Sequence, residues 1–147
     1  MEALFWGRST IDITYMLDEY PNENDKTFAS NYLLQPGGPA LNSAITFAKH
    51  SGSAFLLSGI GNNNFGKLVK GVLNQNKINV LDLHNNDYFQ IPLATIFINS
   101  INGSRTIVNS PLDKEPDLFN KEKLFELIDN VNPGLLLIDG YEIENYY

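Results

Sequence analysis

Cysteine is absent from the 147-residue sequence, which removes disulfides, thiolate catalysis and sulfur-ligated metal sites together. Basic residues are scarce: ten Lys and Arg stand against seventeen Asp and Glu, for a net charge of −7. Phosphate backbones are bound chiefly by Lys and Arg, so nucleic acid is not an expected partner. Long apolar runs are missing as well. No stretch approaches the ~18 residues of a membrane span, and the first residues lack the charged-then-apolar order of a secretory signal. A cytoplasmic protein with no membrane partner is therefore expected, and the sequon Asn102-Gly103-Ser104 carries no meaning in that setting. There are no internal repeats and no low-complexity tails. His50 and His84 have no His, Asp or Glu at a helical or hairpin metal spacing, short of stretching to Asp82, so packing or surface histidines and no metal site are expected. No Ser/His/Asp set can be assembled.

What is present suits one domain with a real core: 43% of residues are hydrophobic and 12% aromatic. Ala3-Leu4-Phe5-Trp6-Gly7 is a continuously apolar run ended by glycine, the pattern of a strand buried on both faces. Ile11, Ile13 and Tyr15 alternate with Asp12, Thr14 and Met16, so a half-exposed strand follows. Pro21, Asn22 and Asn24 mark a loop, and Thr27 to Leu34 reads as another strand. Leu41, Ala44, Ile45 and Ala48 recur at helical spacing and Gly52 closes that helix. Ala54 to Leu57 is again a buried-type strand, and strand-helix-strand order favours a parallel sheet. Phe65, Leu68, Val69, Val72 and Leu73 make a clean amphipathic helix, with a short strand expected at Val80 to Leu83. Leu93 to Ser110 holds two apolar strands flanking Asn102-Gly103, the strongest short hairpin signal. Pro111, Pro116 and Asp117 mark a loop, Leu124, Leu127, Ile128 and Val131 share one helical face, and Leu135 to Ile138 reads as a third buried strand before Asp139-Gly140.

The stretch Gly37-Gly38-Pro39-Ala40-Leu41-Asn42 is the first candidate for function. Two glycines let another molecule approach the backbone. Pro39 has its φ preset for the first helical position, which makes Gly38 the expected cap. The free N–H groups of that helix start, with Asn42 one turn in, outline a site for a small polar ligand, although an ordinary loop-to-helix junction has the same sequence. Asp12 and Asp139 each stand just past the C-terminal end of a buried strand, where open α/β sheets bind ligands, and each could equally cap a turn. Arg105 on the hairpin could reach over a site or remain a solvated or cross-strand pair. Gly61-Asn62-Asn63-Asn64-Phe65-Gly66-Lys67 fits the first seven positions of a phosphate-binding P-loop, but Leu68 replaces the Ser or Thr that would hold Mg²⁺, and a loop leading into a helix is expected instead.

Together these residues resemble the N-terminal half of the ribokinase (PfkB-type) family of carbohydrate kinases. Gly7-x-Ser9-x-x-Asp12 resembles the family's opening, and Gly37-Gly38-Pro39-Ala40-Leu41-Asn42-Ser43-Ala44, with Ser51 and Gly61 at the family spacing, resembles its N-terminal signature. Asp18-Glu19-Tyr20-Pro21, the hairpin from Asn99 to Val108, and Ile138-Asp139-Gly140 are most similar to ketohexokinase. The resemblance implies a ribokinase-like αβα sandwich with a parallel central sheet and a small antiparallel β lid. Its core would lie at about 1–9, 36–92 and 111–147, and its lid at about 10–35 and 93–110. It implies that Asp12, Gly37, Gly38 and Asn42 bind sugar hydroxyls, that Arg105 and Asp139 close over the sugar, and that the lid pairs with a second copy in a homodimer. ATP and Mg²⁺ are the cofactors such a resemblance implies for a full-length enzyme. The family's Gly-Ala-Gly-Asp type motif, with the catalytic aspartate and ATP site, has no counterpart in this sequence, so none of its residues is expected to bind them. The expectation is the sugar-binding half of an ATP-dependent carbohydrate kinase, a ketohexose being favoured, in a truncated product; a non-catalytic sugar-binding or dimerising module and a nucleoside kinase relative are the alternatives.

Overall fold

A computed structural model describes residues 1–111 and 121–143. The elements run β1 (Ala3–Trp6), β2 (Thr10–Leu17), β3 (Asn31–Gly37), α1 (Pro39–Ser51), β4 (Ala54–Ser58), α2 (Asn64–Gln75), β5 (Asn79–Asp82), β6 (Leu93–Asn99), β7 (Arg105–Asn109), α3 (Lys121–Val131), β8 (Leu135–Ile138) and α4 (Gly140–Ile143). The loop expected around Pro116 and Asp117 lies outside the described residues, as does the side chain of Leu124.

β5, β4, β1 and β8 form a parallel sheet in that order. Its strands carry apolar residues on both faces because both faces are covered. On one, Ala3, Phe5 and Leu56 pack with Leu41 and Ala44 of α1 and Val69 and Leu73 of α2. On the other, Leu4, Trp6 and Leu57 pack with Leu127, Ile128 and Val131 of α3. This is the α/β arrangement expected from the alternation of buried strands with helices. β8 stands at the edge, and Leu135, Leu136 and Ile138 remain 36–41% exposed.

The second sheet has the order β3-β2-β6-β7. Here the expected antiparallel lid is corrected: β2 pairs antiparallel with β3, and β6 with β7, but the central pair, β2 and β6, is parallel. The cause is connectivity. β2 and β6 both leave the core at the same level, where the Ile11 N–H donates to the Pro92 carbonyl at 2.9 Å, so they run in the same direction. β3 starts at Asn31 rather than Thr27 and runs through Pro36 to Gly37, its extent set by seven residue pairs with β2. Pro36 is tolerated because β3 is an edge strand. Phe28, within the expected span of that strand, lies before the observed one and is exposed. The expected hairpin forms, but through a longer loop between Asn99 and Arg105 in which Gly103 alone, at φ +73°, takes the left-handed conformation, and Asn102 does not.

The P-loop-like stretch is a helix start. The Asn63 side chain caps α2 by accepting from the Gly66 N–H at 2.9 Å. The N–H groups of Ile60 and Gly61 donate to the Asp82 carboxylate, which also accepts from His84 N–H and pairs with Lys70 at 2.7 Å. The Gly61 and Gly66 N–H groups of that stretch are thus taken up inside the protein. Burial acts to raise the Asp82 pKa, but the Lys70 ammonium and these N–H donors outweigh it and hold the carboxyl below its ordinary value. A depressed carboxylate stabilises the fold fully above the unfolded-state value, about 3.9, and loses that contribution as the pH falls through the folded value. Asp82→Asn is therefore expected to cost about 2–3 kcal/mol at pH 7. In urea titrations the gap between variant and wild type should narrow steadily as the pH is taken below about 4.

Candidate functional site

The C-terminal ends of β1 and β4 meet the start of α1 through the loop from Gly7 to Ser9. Gly38 caps α1 with φ +107°, a conformation that L side chains rarely adopt. A Cβ there would lie 2.1 Å from the Arg8 carbonyl oxygen, so both conformation and space require glycine. No side chain caps this helix and its first turn holds no acidic residue. Pro39 has no N–H, and the N–H groups of Gly38, Ala40 and Leu41 fall before the first intrahelical bond, which Asn42 makes to Gly38 at 3.0 Å.

Beside this uncapped end, β2 sets Asp12 two residues past Thr10 on the same face of the sheet. The Thr10 hydroxyl donates to Asp12 Oδ1 at 2.9 Å. The carboxylate lies against Gly37: a Cβ on Gly37 would fall 2.2 Å from Asp12 Oδ2. The two glycines therefore do different work, Gly37 admitting the Asp12 carboxylate and Gly38 the Arg8 carbonyl. Asn42 is exposed on the first turn and lines a groove of about 460 Å³ with Phe5, Ser43, Thr46, Phe47, His50 and Leu135. Asp12, Gly37 and Gly38 thus meet at one junction of β2, β3 and α1; Asn42 is tied to it by its N–H on the Gly38 carbonyl, while the groove it lines includes none of the other three.

The other two candidates stand apart from Asp12. Arg105 is exposed at the start of β7, opposite Ile98, whereas Asp12 is level with Ala94 and Asn109. It shares a face with Asp12 but lies four residues along and two strands across, roughly 16 Å on strand spacings. Asp139 is 5% exposed at the end of β8. Its Oδ2 accepts from the Arg8 N–H at 2.9 Å and its Oδ1 from the Tyr141 N–H at 3.1 Å. Two partners were not singled out from sequence. Ser58, at the end of β4, donates to the Ser9 hydroxyl at 2.8 Å, with both residues buried. In sequence Asp82 stands out only as a distant partner for a histidine; a carboxylate that closes a strand and engages the Ile60 and Gly61 N–H groups, some twenty residues away, leaves no local signal. His84 stacks on Phe89 with ring centres 4.2 Å apart, a packing histidine.

The arrangement combines a carboxylate that only accepts hydrogen bonds with backbone N–H groups that only donate. A polyol, whose hydroxyls both donate and accept, satisfies both. Residues 2–139 match the profile of the pfkB family carbohydrate kinases. The chain belongs to that family. Among curated proteins none matches. Solved structures similar to the chain include ribokinase from Giardia lamblia, 18% identical with a TM-score of 0.76 over 93% of this chain and 44% of that one. Ribokinase from Arabidopsis thaliana, solved with ribose and ATP, is 18% identical with a TM-score of 0.71, over 93% of this chain and 44% of that one. Ribokinase from Thermotoga maritima is 22% identical with a TM-score of 0.64, over 84% of this chain and 41% of that one. At such identities the likeness is one of fold, and the pfkB-family chain spans less than half the length of each of these structures.

Gly38→Ala combines a Cβ against the Arg8 carbonyl with a strained φ, and a loss of about 2 kcal/mol or more is expected in denaturant unfolding. Gly52→Ala is the control: φ is similarly positive, at +121°, but nothing lies within 4 Å of the added Cβ, so the difference between the two variants measures the contact with Arg8.

Proposed function

We propose that this pfkB-family chain is the acceptor-sugar-binding half of an ATP-dependent carbohydrate kinase, with a ketohexose as its sugar. The observation that carries the reading is the Asp12 carboxylate laid on Gly37 beside the uncapped start of α1. Asp12 and Asn42 hold sugar hydroxyls, and Gly37 and Gly38 contribute backbone groups, their missing side chains leaving room for the Asp12 carboxylate and the Arg8 carbonyl. Arg105 closes from the lid, and Asp139 supports the floor of the site from beneath the Gly7–Ser9 loop. The negative charge of Asp12 turns anionic acceptors away from the same N–H groups that would otherwise attract them. Ketohexose over pentose rests on the similarity of the β6–β7 hairpin and of Ile138-Asp139-Gly140 to ketohexokinase.

In such an enzyme a base activates the acceptor hydroxyl while donors and Mg²⁺ hold the transferring phosphoryl group of ATP. That second role is not assigned to this chain in this reading, which is supported by one observation: the loop resembling a phosphate cradle has its Gly61 N–H bonded to Asp82. The exposed apolar edge of β8 supports a fold continued by further parallel strand, since Leu135 to Ile138 has the composition of a strand covered on both sides. Little or no phosphoryl transfer is expected from this chain by itself. A homodimer through the lid is part of the same reading. Tyr32, Leu33 and Leu34 of β3 and Ile107 and Val108 of β7 are exposed on the two edge strands, where unpaired backbone and apolar side chains favour pairing with a second copy.

Calorimetry with fructose and ribose tests the reading. Fructose is expected to bind more tightly than ribose. Asp12→Ala should weaken either by about tenfold or more, as expected when hydrogen bonds to a charged group are lost. Absence of heat with both sugars overturns sugar binding, and sugar-dependent ADP release from ATP overturns the assignment of a half-site alone. For the lid, sedimentation equilibrium should show a dimer that Val108→Lys converts to monomer; a monomer at all concentrations refutes the pairing.

A further inference from the structure

We infer that Asp139 is a positioning residue, whose carboxylate holds the Arg8–Ser9 backbone against Gly38 and thereby fixes the start of α1, without touching the sugar. The inference rests on the acceptor-sugar reading of that site. Asp139 is clasped on all sides by main chain. Its N–H donates to the Trp6 carbonyl at 3.0 Å, Oδ2 accepts from Arg8 N–H and Oδ1 from Tyr141 N–H. Gly7 has no side chain because that space belongs to the carboxylate: a Cβ there would lie 2.0 Å from Asp139 Oδ2 and 2.7 Å from the Ala40 Cβ on the first turn of α1. With only 5% of the residue exposed and both oxygens in charge-assisted bonds to backbone, little of the carboxylate is left for a ligand above it.

The same loop carries the effect onward. The Arg8 peptide is anchored at its N–H by Asp139, and the Arg8 carbonyl is the group that packs on Gly38. One residue later the Ser9 hydroxyl is held by Ser58 from β4. Asp139 and Ser58 thus grip the loop from β8 and β4, the two strands that flank β1. Arg8 cannot shift without releasing Asp139 or moving Gly38, and Gly38 sets where the free N–H groups of α1 point.

Carboxyl-labelled aspartate in the wild-type chain separates positioning from contact. On titration with fructose the Asp12 carboxyl resonance is expected to move and that of Asp139 to stay; an Asp139 shift as large as that of Asp12 overturns the inference. Asp139→Asn should weaken fructose and each of its deoxy analogues by one common factor, on the order of tenfold. Loss confined to sugars bearing one particular hydroxyl marks direct contact and overturns it. A further arm needs no sugar, so its result stands even if sugar binding itself fails. In the free protein Asp139→Asn is expected to speed exchange of the Arg8 amide by about tenfold and to shift the Gly38 and Ala40 amide resonances. Unchanged Gly38 and Ala40 amides refute the coupling. If Asp139→Asn does not fold, Ser58→Ala loosens the same loop from its other side and is read by the same Arg8 and Gly38 amides, with the same outcomes.

Discussion

The contact on which the rest depends is the approach of the Arg8 carbonyl to Gly38. It is a steric constraint before it is a chemical one: the space admits no Cβ, and the backbone at Gly38 holds a positive φ. Once it is met, the end of β1 and the start of α1 are fixed relative to one another, and with them the direction in which β2 departs from the sheet. The ties around it are all of the kind that stay strong away from water, backbone N–H to carboxylate and hydroxyl to hydroxyl between buried groups. A short loop between two strands is thereby held from both neighbouring strands.

Rigidity at that loop extends to the base of the lid. Ile11, Ile13 and Leu93 belong to the lid sheet by pairing but to the main core by packing, since they lie against the cluster that includes Phe5, Ala40 and Leu41. Farther out, Tyr15 is stacked on Phe97 with ring centres 6.0 Å apart, and the Tyr20 hydroxyl contacts the Ser104 carbonyl at 3.1 Å. These contacts join strands of the lid to each other, not to the core. The apolar anchoring therefore ends a few residues beyond Asp12, and movement of the lid relative to the core costs least toward Arg105 and the hairpin turn. In the proposed reading a residue at that end travels while Asp12 stays in place, which would bring in an arginine roughly 16 Å away by strand spacings.

The parallel layer was legible because its signal is local: continuous apolar runs at Ala3 to Trp6 and Ala54 to Leu57, alternating with helical spacing, give strands covered on both faces. Gly38 was legible for the same reason, since Pro39 in the first helical position leaves the preceding residue as cap. The parallel pairing of β2 and β6 was not, because two strands some eighty residues apart show their direction only through the layer that connects them. The strand expected from Thr27 begins only at Asn31: Tyr32 and Leu34 share a face, as their pairing with Tyr15 and Ile13 shows, whereas Phe28 has no partner on β2. Asp139 was found as a carboxylate past a strand end, while the backbone groups it engages, from Arg8, lie 131 residues away and are invisible in sequence.

Two glycine-bearing junctions at the C-terminal edge of the same sheet meet opposite fates, and the difference explains why one is the candidate site. At Gly61 the backbone N–H groups turn inward to Asp82, whose charge is further balanced by Lys70, and the helix start is capped by Asn63. The Gly61 N–H is thus occupied within the protein, so a ligand would have to displace a carboxylate to reach it. At Gly38 no side chain caps the helix, and the nearby carboxylate of Asp12 is engaged by Thr10 at one oxygen while it lies against Gly37. Donors at the helix start and an acceptor one strand away are left without being joined to each other. A neutral molecule rich in hydroxyl groups can satisfy both, whereas an anion is repelled by Asp12 and an apolar molecule leaves both unsatisfied.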